Sequence, residues 1–557
     1  MPEDPKKSKV EHIKESSDYL RGSLKENLAL DTDNFPDDQA QLLKFHGIYQ
    51  QDNRDSRKER IREKRGKEYF MMIRSKFPGG TLSTDQYLMY DEISETLAGG
   101  TIRLTTRQTI QLHGVLKKNA KKAMRAINKR LITTLGACGD VVRNVMATPL
   151  PMADESEKKV LAFARDISNR FLPATPAYHE VWLNGEKVDH IAAENVEPLY
   201  GKTYLPRKFK LGIAFENDNI VDVYTQDIGI VPKMKAAELL GFTILVGGGL
   251  GFTHRMEKTY PRLASPLCFI EPEKLGDVCE AIITVQRDYG DRSDRKRARM
   301  KYLIDDWGMD KFKKEVERRF GAPLKSPEPI KWKKFSLDEY LGWHALDGGG
   351  FYGLSIENGR IKDDNDFRLK SAIRDIARKY QPEIRLTPSQ DMLFCGLPAG
   401  AEEGVEAILK SHGIKTSGEL TQARKLSMAC PALPLCPLAL GEAERALPKL
   451  IDLLEEKLKS LGLEDEKVTV RMTGCPNSCA RPQTAEIAFI ATQPDTYNIY
   501  IAGSPTGERL NRLYKERVPY GKLVDELEEA LVLFKKTRAP SESFGDFCLR
   551  SNFGGGS

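Results

Sequence analysis

Two cysteine pairs in the last third of the chain are the residues best spaced for metal chemistry. The first is Cys430-Pro-Ala-Leu-Pro-Leu-Cys436 and the second is Cys475-Pro-Asn-Ser-Cys479. Four thiolates arriving as two clustered pairs can hold an iron–sulfur cube. Structural zinc usually takes cysteines two to four residues apart. The second pair, with three intervening residues, fits that range; the first, with five, does not. A disulfide framework suits short secreted chains rather than one of 557 residues. Spacing alone ranks the cube first and leaves zinc or unrelated thiols as the alternatives. Pro431, Pro434, Pro437 and Pro476 fix backbone angles and remove N–H donors, which favours stiff ligand loops over helix interiors. The other cysteines, Cys138, Cys268, Cys279, Cys395 and Cys548, stand singly in apolar or mixed surroundings and read as small core residues.

An internal repeat supplies the elements that must position these groups. Ile102-Arg-Leu-Thr-Thr-Arg-Gln-Thr-Ile-Gln-Leu-His-Gly-Val115 aligns without gaps to Ile384-Arg-Leu-Thr-Pro-Ser-Gln-Asp-Met-Leu-Phe-Cys-Gly-Leu397. Ile, Arg, Leu, Thr, Gln and Gly coincide. Helical patterns flank both copies, at about 84–97 and 118–132 in one and about 367–380 and 401–412 in the other. Alternation at Ile110 and Leu112, and at Met392 and Phe394, suits strands with one buried face. Chance similarity over fourteen residues is the alternative to duplication, and the matched flanks weigh against it.

Between the copies, Tyr204-Leu-Pro-Arg-Lys-Phe-Lys-Leu-Gly-Ile-Ala-Phe215 is basic, then strand-like. After the second copy, the pattern predicts a long helix from Leu438 to about Leu461, a strand over Val468–Met472 leading into the second cysteine pair, and another over Glu486–Ile490. Pro323 to Pro329 reads as a linker. Gly247-Gly-Gly-Leu-Gly251 fails as a dinucleotide fingerprint, because Phe252 or His254 stands where its last glycine belongs. It is either a loop closely approaching a large ligand or a plain turn. The run therefore gives no evidence of an NADPH site in this chain.

A chain of this length predicts three or four domain-sized units. The net charge of +6 is small for 557 residues, and no dense basic block interleaved with aromatics marks a nucleic-acid binder. No run of 18 apolar residues spans a membrane, and the charged N-terminus has no signal-peptide core. Nine cysteines without a secretion signal predict a cytoplasmic protein. The expected division is an arm with possible partner docking over 1–60, a first half-domain over 61–134, a larger unit over 135–330, a second half-domain over 331–420 and the thiol-bearing unit over 421–557. The final Gly554-Gly-Gly-Ser557 is set aside as a tag-like tail.

Several segments together carry a resemblance: His46-Gly-Ile-Tyr-Gln-Gln-Asp52, Ile102-Arg-Leu-Thr-Thr-Arg-Gln-Thr109, Leu205-Pro-Arg-Lys-Phe-Lys210 and Thr473-Gly-Cys-Pro-Asn-Ser-Cys479. The chain resembles the sulfite and nitrite reductase haemoproteins from Ser17 to Phe547, most closely the assimilatory sulfite-reducing branch. The resemblance implies an α+β fold with pseudo-two-fold ferredoxin-like half-domains and larger siroheme- and cluster-binding α+β domains. It implies a [4Fe–4S] cube on Cys430, Cys436, Cys475 and Cys479, with Cys479 also the axial ligand of the siroheme iron. It implies a substrate pocket of Arg74, Arg143, Lys208 and Lys210. Arg103, Arg107, Gln111, His113, Arg207 and Asn477 are the expected siroheme contacts. Outside the resemblance each is more ordinarily a solvated arginine or a satisfied structural residue.

The implied reaction is six-electron reduction of sulfite to sulfide, with electrons from a separate NADPH-dependent flavoprotein. The alternatives are a ferredoxin donor, siroheme-dependent nitrite reduction, or a siroheme- and cluster-binding protein without turnover. In the nitrite branch an asparagine is typical where this chain has Lys210. The chain departs from the family pattern at Val142, where asparagine is common, in a loop expected around 229–240, and in a short tail beyond Phe547.

Overall fold

In the computed structural model, each copy of the repeat forms two adjacent antiparallel strands within a five-stranded sheet. The structure describes residues 7–174, 197–333 and 335–553, with backbone alone at 182–183 and 186–187. The terminal Gly554–Ser557 lies outside the described residues. One sheet runs in the order Ile48–Asp52, Tyr69–Arg74, Ile110–Val115, Ile102–Leu104, Arg360–Ile361. Its counterpart runs Gly342–Leu346, Gly349–Leu354, Met392–Pro398, Glu383–Leu386, Thr81–Leu82. The outermost strands are exchanged. Arg360 pairs with Arg103 in the first sheet, and Thr81 pairs with Arg385 in the second. The flanking helices form where the pattern expects them, at Thr84–Thr96, Lys117–Lys129, Leu369–Tyr380 and Ala401–Ser411. Ser83 and Gln86 start the first with a reciprocal capping box. Ile102, Leu112, Ile384 and Phe394 share one core with these helices, so the two half-domains bury their apolar faces jointly.

The turn inside each repeat is held by its glutamine. Gln108 (φ 52°) and Gln390 (φ 75°) both take the left-handed conformation. Gln108 Nε2 donates to Ala147 O at 2.9 Å, and Gln390 Nε2 to Ala429 O at 3.0 Å. These bonds tie each half-domain to one of two further sheets.

Those further sheets are also a pair. One runs Met146–Ala147, Leu211–Ile213, Ile228–Lys235, Glu238–Val246, Ser265–Ile270. The other runs Ser427–Ala429, Val470–Thr473, Ile487–Gln493, Thr496–Ile501, Arg512–Pro519. In each the first three strands are parallel and the last two antiparallel. Register equates Leu211 with Val470 and Ile228 with Ile487. Duplication therefore extends through the larger units as well as the half-domains. No helix among the described residues is long and apolar enough to cross a membrane.

Four local expectations need correction. The helix expected from Leu438 starts only at Leu447, with Pro448 in its first turn, where the missing N–H costs nothing. The residues before it form turns instead. The altered region at 229–240 is a hairpin, Ile228–Lys235 with Glu238–Val246. The 323–329 linker lies along a sheet: Lys325 bridges Phe269, and Thr243 Oγ1 donates to Glu328 O at 3.0 Å. The segment expected as an arm contributes a full strand, Ile48–Asp52, and its Leu20 and Phe45 are buried in the core of the neighbouring unit.

Candidate metal and cofactor centre

The two thiol pairs leave the same edge of one sheet. Cys430 follows Ser427–Ala429, Cys475 follows Val470–Thr473, and these strands are parallel neighbours. Ligand sites form at the carboxyl ends of parallel strands, where loops diverge. Gly474 N–H donates to Cys430 Sγ at 3.4 Å, and Asn477 Nδ2 to Cys475 Sγ at 3.5 Å. Cys430 and Cys475 are buried, Cys436 is half-buried and Cys479 is exposed. Burial, then the charges of the neighbouring thiols, raise the pKa of Cys430, Cys436 and Cys475, that of Cys436 to about 12. Four thiols close enough to oppose one another's ionisation need a cation to become thiolates, and a bound metal centre supplies it. Among the described residues no group of three Cys, His, Asp or Glu is drawn together for a single ion. That bears on one ion, which gathers thiolates about 2.3 Å from a single centre, and not on a cube, which spreads them over its corners.

Cys479 faces the other way too. Its charge acts on Arg74, Arg103, Lys208 and Lys210, besides the three other thiols. Thr106 Oγ1, in the turn of the first repeat, holds Cys479 O at 2.8 Å.

The cations come from three elements. Arg74 ends the strand Tyr69–Arg74, opposite Gln111 in register. Its Nη1 donates to Cys138 Sγ at 3.4 Å. With the Gln111 amide turned so that its oxygen faces the guanidinium, Arg74 Nε donates to it at 3.0 Å. Arg143 follows the parallel bridge between Val142 and Phe209, which lays it beside the segment carrying Lys208 and Lys210. Arg143 Nε donates to Gly139 O at 2.7 Å. Lys210 N–H donates to Asp227 Oδ2 at 2.8 Å, fixing the segment while leaving the ammonium free to turn.

Arg207, Lys208 and Lys210 keep accessible surface although protein encloses them on most sides, as groups lining a deep cleft do. Enclosure, then the nearby Arg207, pushes Lys208 down to about 7. Lys210 is driven well below its ordinary value by enclosure, then by Lys208. Neither ammonium has a hydrogen-bond or ion-pair partner among the described residues.

Several of the expected siroheme contacts are partly engaged by protein. Arg103 joins Glu444 and donates to Ala429 O at 2.9 Å, bracing the first thiol loop. Arg107 spends Nη1 on Gln226 Oε1 and Nη2 on Leu211 O. Burial, then Arg143, lowers its pKa to about 9. Arg207 lies 3.9 Å from Asp140. His113 Nδ1 contacts Gln51 Oε1 at 3.2 Å, and burial holds the ring neutral. Bare buried donors remain at Arg103 Nε and Arg107 Nε, and His113 Nε2 is likewise unpartnered. Unsatisfied buried groups beside a cationic cleft suit a ligand bearing several carboxylates. The residues present thus fit both a cube and an anionic macrocycle.

Sequence reasoning missed Lys76, whose buried Nζ has no partner and whose pKa is pushed to about 7 by burial, then by Arg107 and Arg143. Its place two residues after Arg74 was the available signal. It also took Cys138 for a mere core residue, whereas the thiol accepts from Arg74. The glycine run resolves as a clamp. Lys301 Nζ donates to Gly249 O at 3.0 Å and Gly251 O at 2.9 Å, and Phe252 N–H donates to Pro476 O at 3.0 Å. A Cβ on Gly251 would stand 3.3 Å from Asn477 O, so the loop rests on the second thiol loop.

The fold and this site define a class of duplicated α+β proteins that hold a thiolate-bound cluster against an anion-binding cleft. The family model described as nitrite/sulfite reductase ferredoxin-like half domain matches residues 62–130 and 345–412. The model described as nitrite and sulphite reductase 4Fe-4S domain matches 164–324, the copy without the paired cysteines. A "Sulfite reductase [NADPH] hemoprotein beta-component" of Staphylococcus haemolyticus is 45% identical over 550 residues, covering 98% of this chain and 96% of its own. One of the same name from Geobacillus kaustophilus is 45% identical over 549 residues, covering 98% and 95%. The solved Mycobacterium tuberculosis NirA protein superposes with a TM-score of 0.78 at 23% identity, covering 98% of this chain and 97% of that one, which speaks for the fold. The chain belongs to the nitrite and sulfite reductase haemoprotein family.

Proposed function

We propose that this chain is the haemoprotein component of an NADPH-dependent sulfite reductase and reduces sulfite to sulfide. The observation that carries the reading is Cys479, whose charge acts both on the three other thiols and on Lys208 and Lys210 of the cationic cleft. A siroheme coupled through that thiolate to a [4Fe–4S] cube would supply the iron site and the electron store. Cys430, Cys436, Cys475 and Cys479 would hold the cube, and Arg107, His113, Arg207 and Asn477 would meet the macrocycle together with Gln111. Arg103, which braces the thiol loop through Ala429 O and keeps Nε free, would meet the macrocycle as well.

The chain's own residues account for substrate handling. Sulfite is a compact dianion. Arg74 and Arg143 present fixed forks of donors to its oxygens. Lys208 and Lys210 add donors, and charge once a bound dianion favours their protonated forms, where water is largely excluded and each interaction is worth more. Reduction removes three oxygens as water and consumes protons. A lysine near pH 7 can both give and regain a proton under working conditions, as a general acid must. A separate NADPH-dependent flavoprotein as the electron donor is supported by the relatives' name, sulfite reductase [NADPH] hemoprotein beta-component. Nine unpaired thiols suit the reducing cytoplasm.

The test is anaerobic reduction with a small chemical donor, followed optically, with sulfite and nitrite added in separate runs. Reoxidation by sulfite with sulfide release, at a higher kcat/KM than for nitrite, supports the proposal. Preference for nitrite moves the chain to the sister activity.

A further inference from the structure

The thiols are not equally deep. Cys436 sits half-buried at the rim of the cluster loops, and just after it Leu438 is 64% and Leu440 40% exposed. This rim is held rigidly. Arg54 Nη1 reaches the carbonyl oxygens of Cys436, Pro437 and Ala439 at 3.2, 3.1 and 3.4 Å, and Arg54 N–H donates to Pro434 O at 3.2 Å. Arg445 Nη1 adds a bond to Asp55 Oδ2 at 2.6 Å.

Arg54 opens a segment of unusual charge. From Arg54 to Lys67 the chain has eight Lys and Arg against three Asp and Glu, whereas the whole molecule carries only +6. Residues 61–68 are exposed without interruption, Ile61 included. Arg57 is spent on Asp52 and Arg65 on Glu63. Lys58, Arg62 and Lys64 have no ion pair among the described residues. Exposed leucines on a rim joined through Arg54 and Asp55 to a segment of unpaired cations mark a protein-docking face. The exposed apolar residues are aliphatic, Leu438, Leu440 and Ile61, which stack poorly on nucleic-acid bases. The cations call for an acidic partner.

We propose that the Leu438–Leu440 rim and the cationic segment Arg57–Lys67 form the docking face for an acidic, flavin-bearing electron-donor domain. The inference rests on the reductase reading, since a chain fed with electrons from outside needs such a face close to a cluster ligand, and Cys436 lies at this rim. No bond forms or breaks across it; the donor flavin is oxidised by as many electrons as the haemoprotein gains.

The test compares the holoenzyme with Leu438→Asp and with the triple variant Lys58→Glu/Arg62→Glu/Lys64→Glu. The probes are the NADPH-reduced flavoprotein component from the same source and dithionite-reduced methyl viologen. At low ionic strength kcat/KM for the flavoprotein falls by about 10-fold or more in each variant, and turnover with methyl viologen is unchanged. Calorimetric binding of the flavoprotein weakens in parallel. Equal losses with both donors, or no loss with either, overturn the proposal. If the unmodified holoenzyme turns over with neither donor, the reductase reading falls, and binding alone decides the face: weakened binding in the variants upholds it, unchanged binding overturns it.

Discussion

Asp222 and Arg481, which occupy equivalent corners of the two duplicated larger units, are ion-paired to each other. Both residues are left-handed, at φ 49° and 52°, and each leads into a short 3-10 turn, Val223–Thr225 or Pro482–Thr484. Arg481 Nε meets Asp222 Oδ2 at 2.5 Å, and Arg471 Nη1 meets the same oxygen at 2.8 Å. Arg481 Nη1 also donates to Thr106 O, the residue that holds Cys479. The pair lies where the copies meet, directly behind the thiol loop.

Removing that carboxylate leaves two guanidiniums buried without their counter-charge. Asp222→Ala is expected to cost about 3–5 kcal/mol. Differential scanning calorimetry of the holoprotein should show a lowered midpoint, and Asp222→Glu should recover part of it. A midpoint equal to that of the unmodified protein refutes the structural role.

Cys479→Ser is expected to abolish the coupled siroheme absorption and to lower iron and labile sulfide, while Cys548→Ala leaves both intact. Cys548 is buried in the apolar core of the same unit, far from charge-bearing thiols in role though alike in chemistry. Metal analysis with an optical spectrum decides this. Unaltered bands in Cys479→Ser contradict the bridging assignment.

Lys208 predicts a pH dependence with a definite sign. Its folded pKa is lowered to about 7, so it is charged below that value and neutral above it. Binding of a non-titrating anion such as nitrate, followed by perturbation of the siroheme bands, should weaken as pH rises through about 7. Lys208→Arg should flatten the profile, because arginine stays charged. A profile unchanged by the substitution removes Lys208 from the anion site. Lys210→Asn should lower kcat/KM for sulfite by about 10²-fold while sparing the spectrum.

Lys301 sits behind the glycine clamp rather than in the cleft. Lys301→Met deprives Gly249 and Gly251 of their shared donor and loosens the loop that backs Asn477 and Pro476. Weaker electronic coupling between cube and siroheme, read by Mössbauer spectroscopy at unchanged iron content, is the expected signature. Unchanged coupling limits Lys301 to folding.

Truncation before residue 61 should depress turnover with every donor, chemical or protein, because it removes the strand Ile48–Asp52 and the buried Lys14, whose Nζ holds Leu205 O at 2.9 Å. Activity with methyl viologen that survives the truncation would show the segment to be dispensable for the cleft.

The repeat made the half-domains legible, and its mismatches are where the copies differ in polar residues. Ile, Arg, Leu, Gln and Gly recur because both copies need the same strands and turn. Arg107, Gln111 and His113, the expected siroheme contacts of one copy, align with Ser389, Leu393 and Cys395 in the other. The duplication of the larger units was not legible, because it lies in strand register, with Asp227 matched by Glu486 and Lys210 by Thr469, and not in identity. The helix beginning at Leu447 was overextended because Leu438 and Leu440 fit its apolar period while facing solvent. Lys76 escaped notice because burial without a partner cannot be seen in a linear sequence.

The exchanged strands also set an order in time. The first sheet receives its last strand from Arg360–Ile361, although its other strands end at Val115. At about 5–20 residues per second, the ribosome needs on the order of 10–50 s to supply that strand. Over that interval the nascent first half carries an open edge, and the thiol loops do not yet exist. Loading with prosthetic groups therefore cannot be completed before Cys479, the last of the four thiols, has been made, long after the strands that end at Val115.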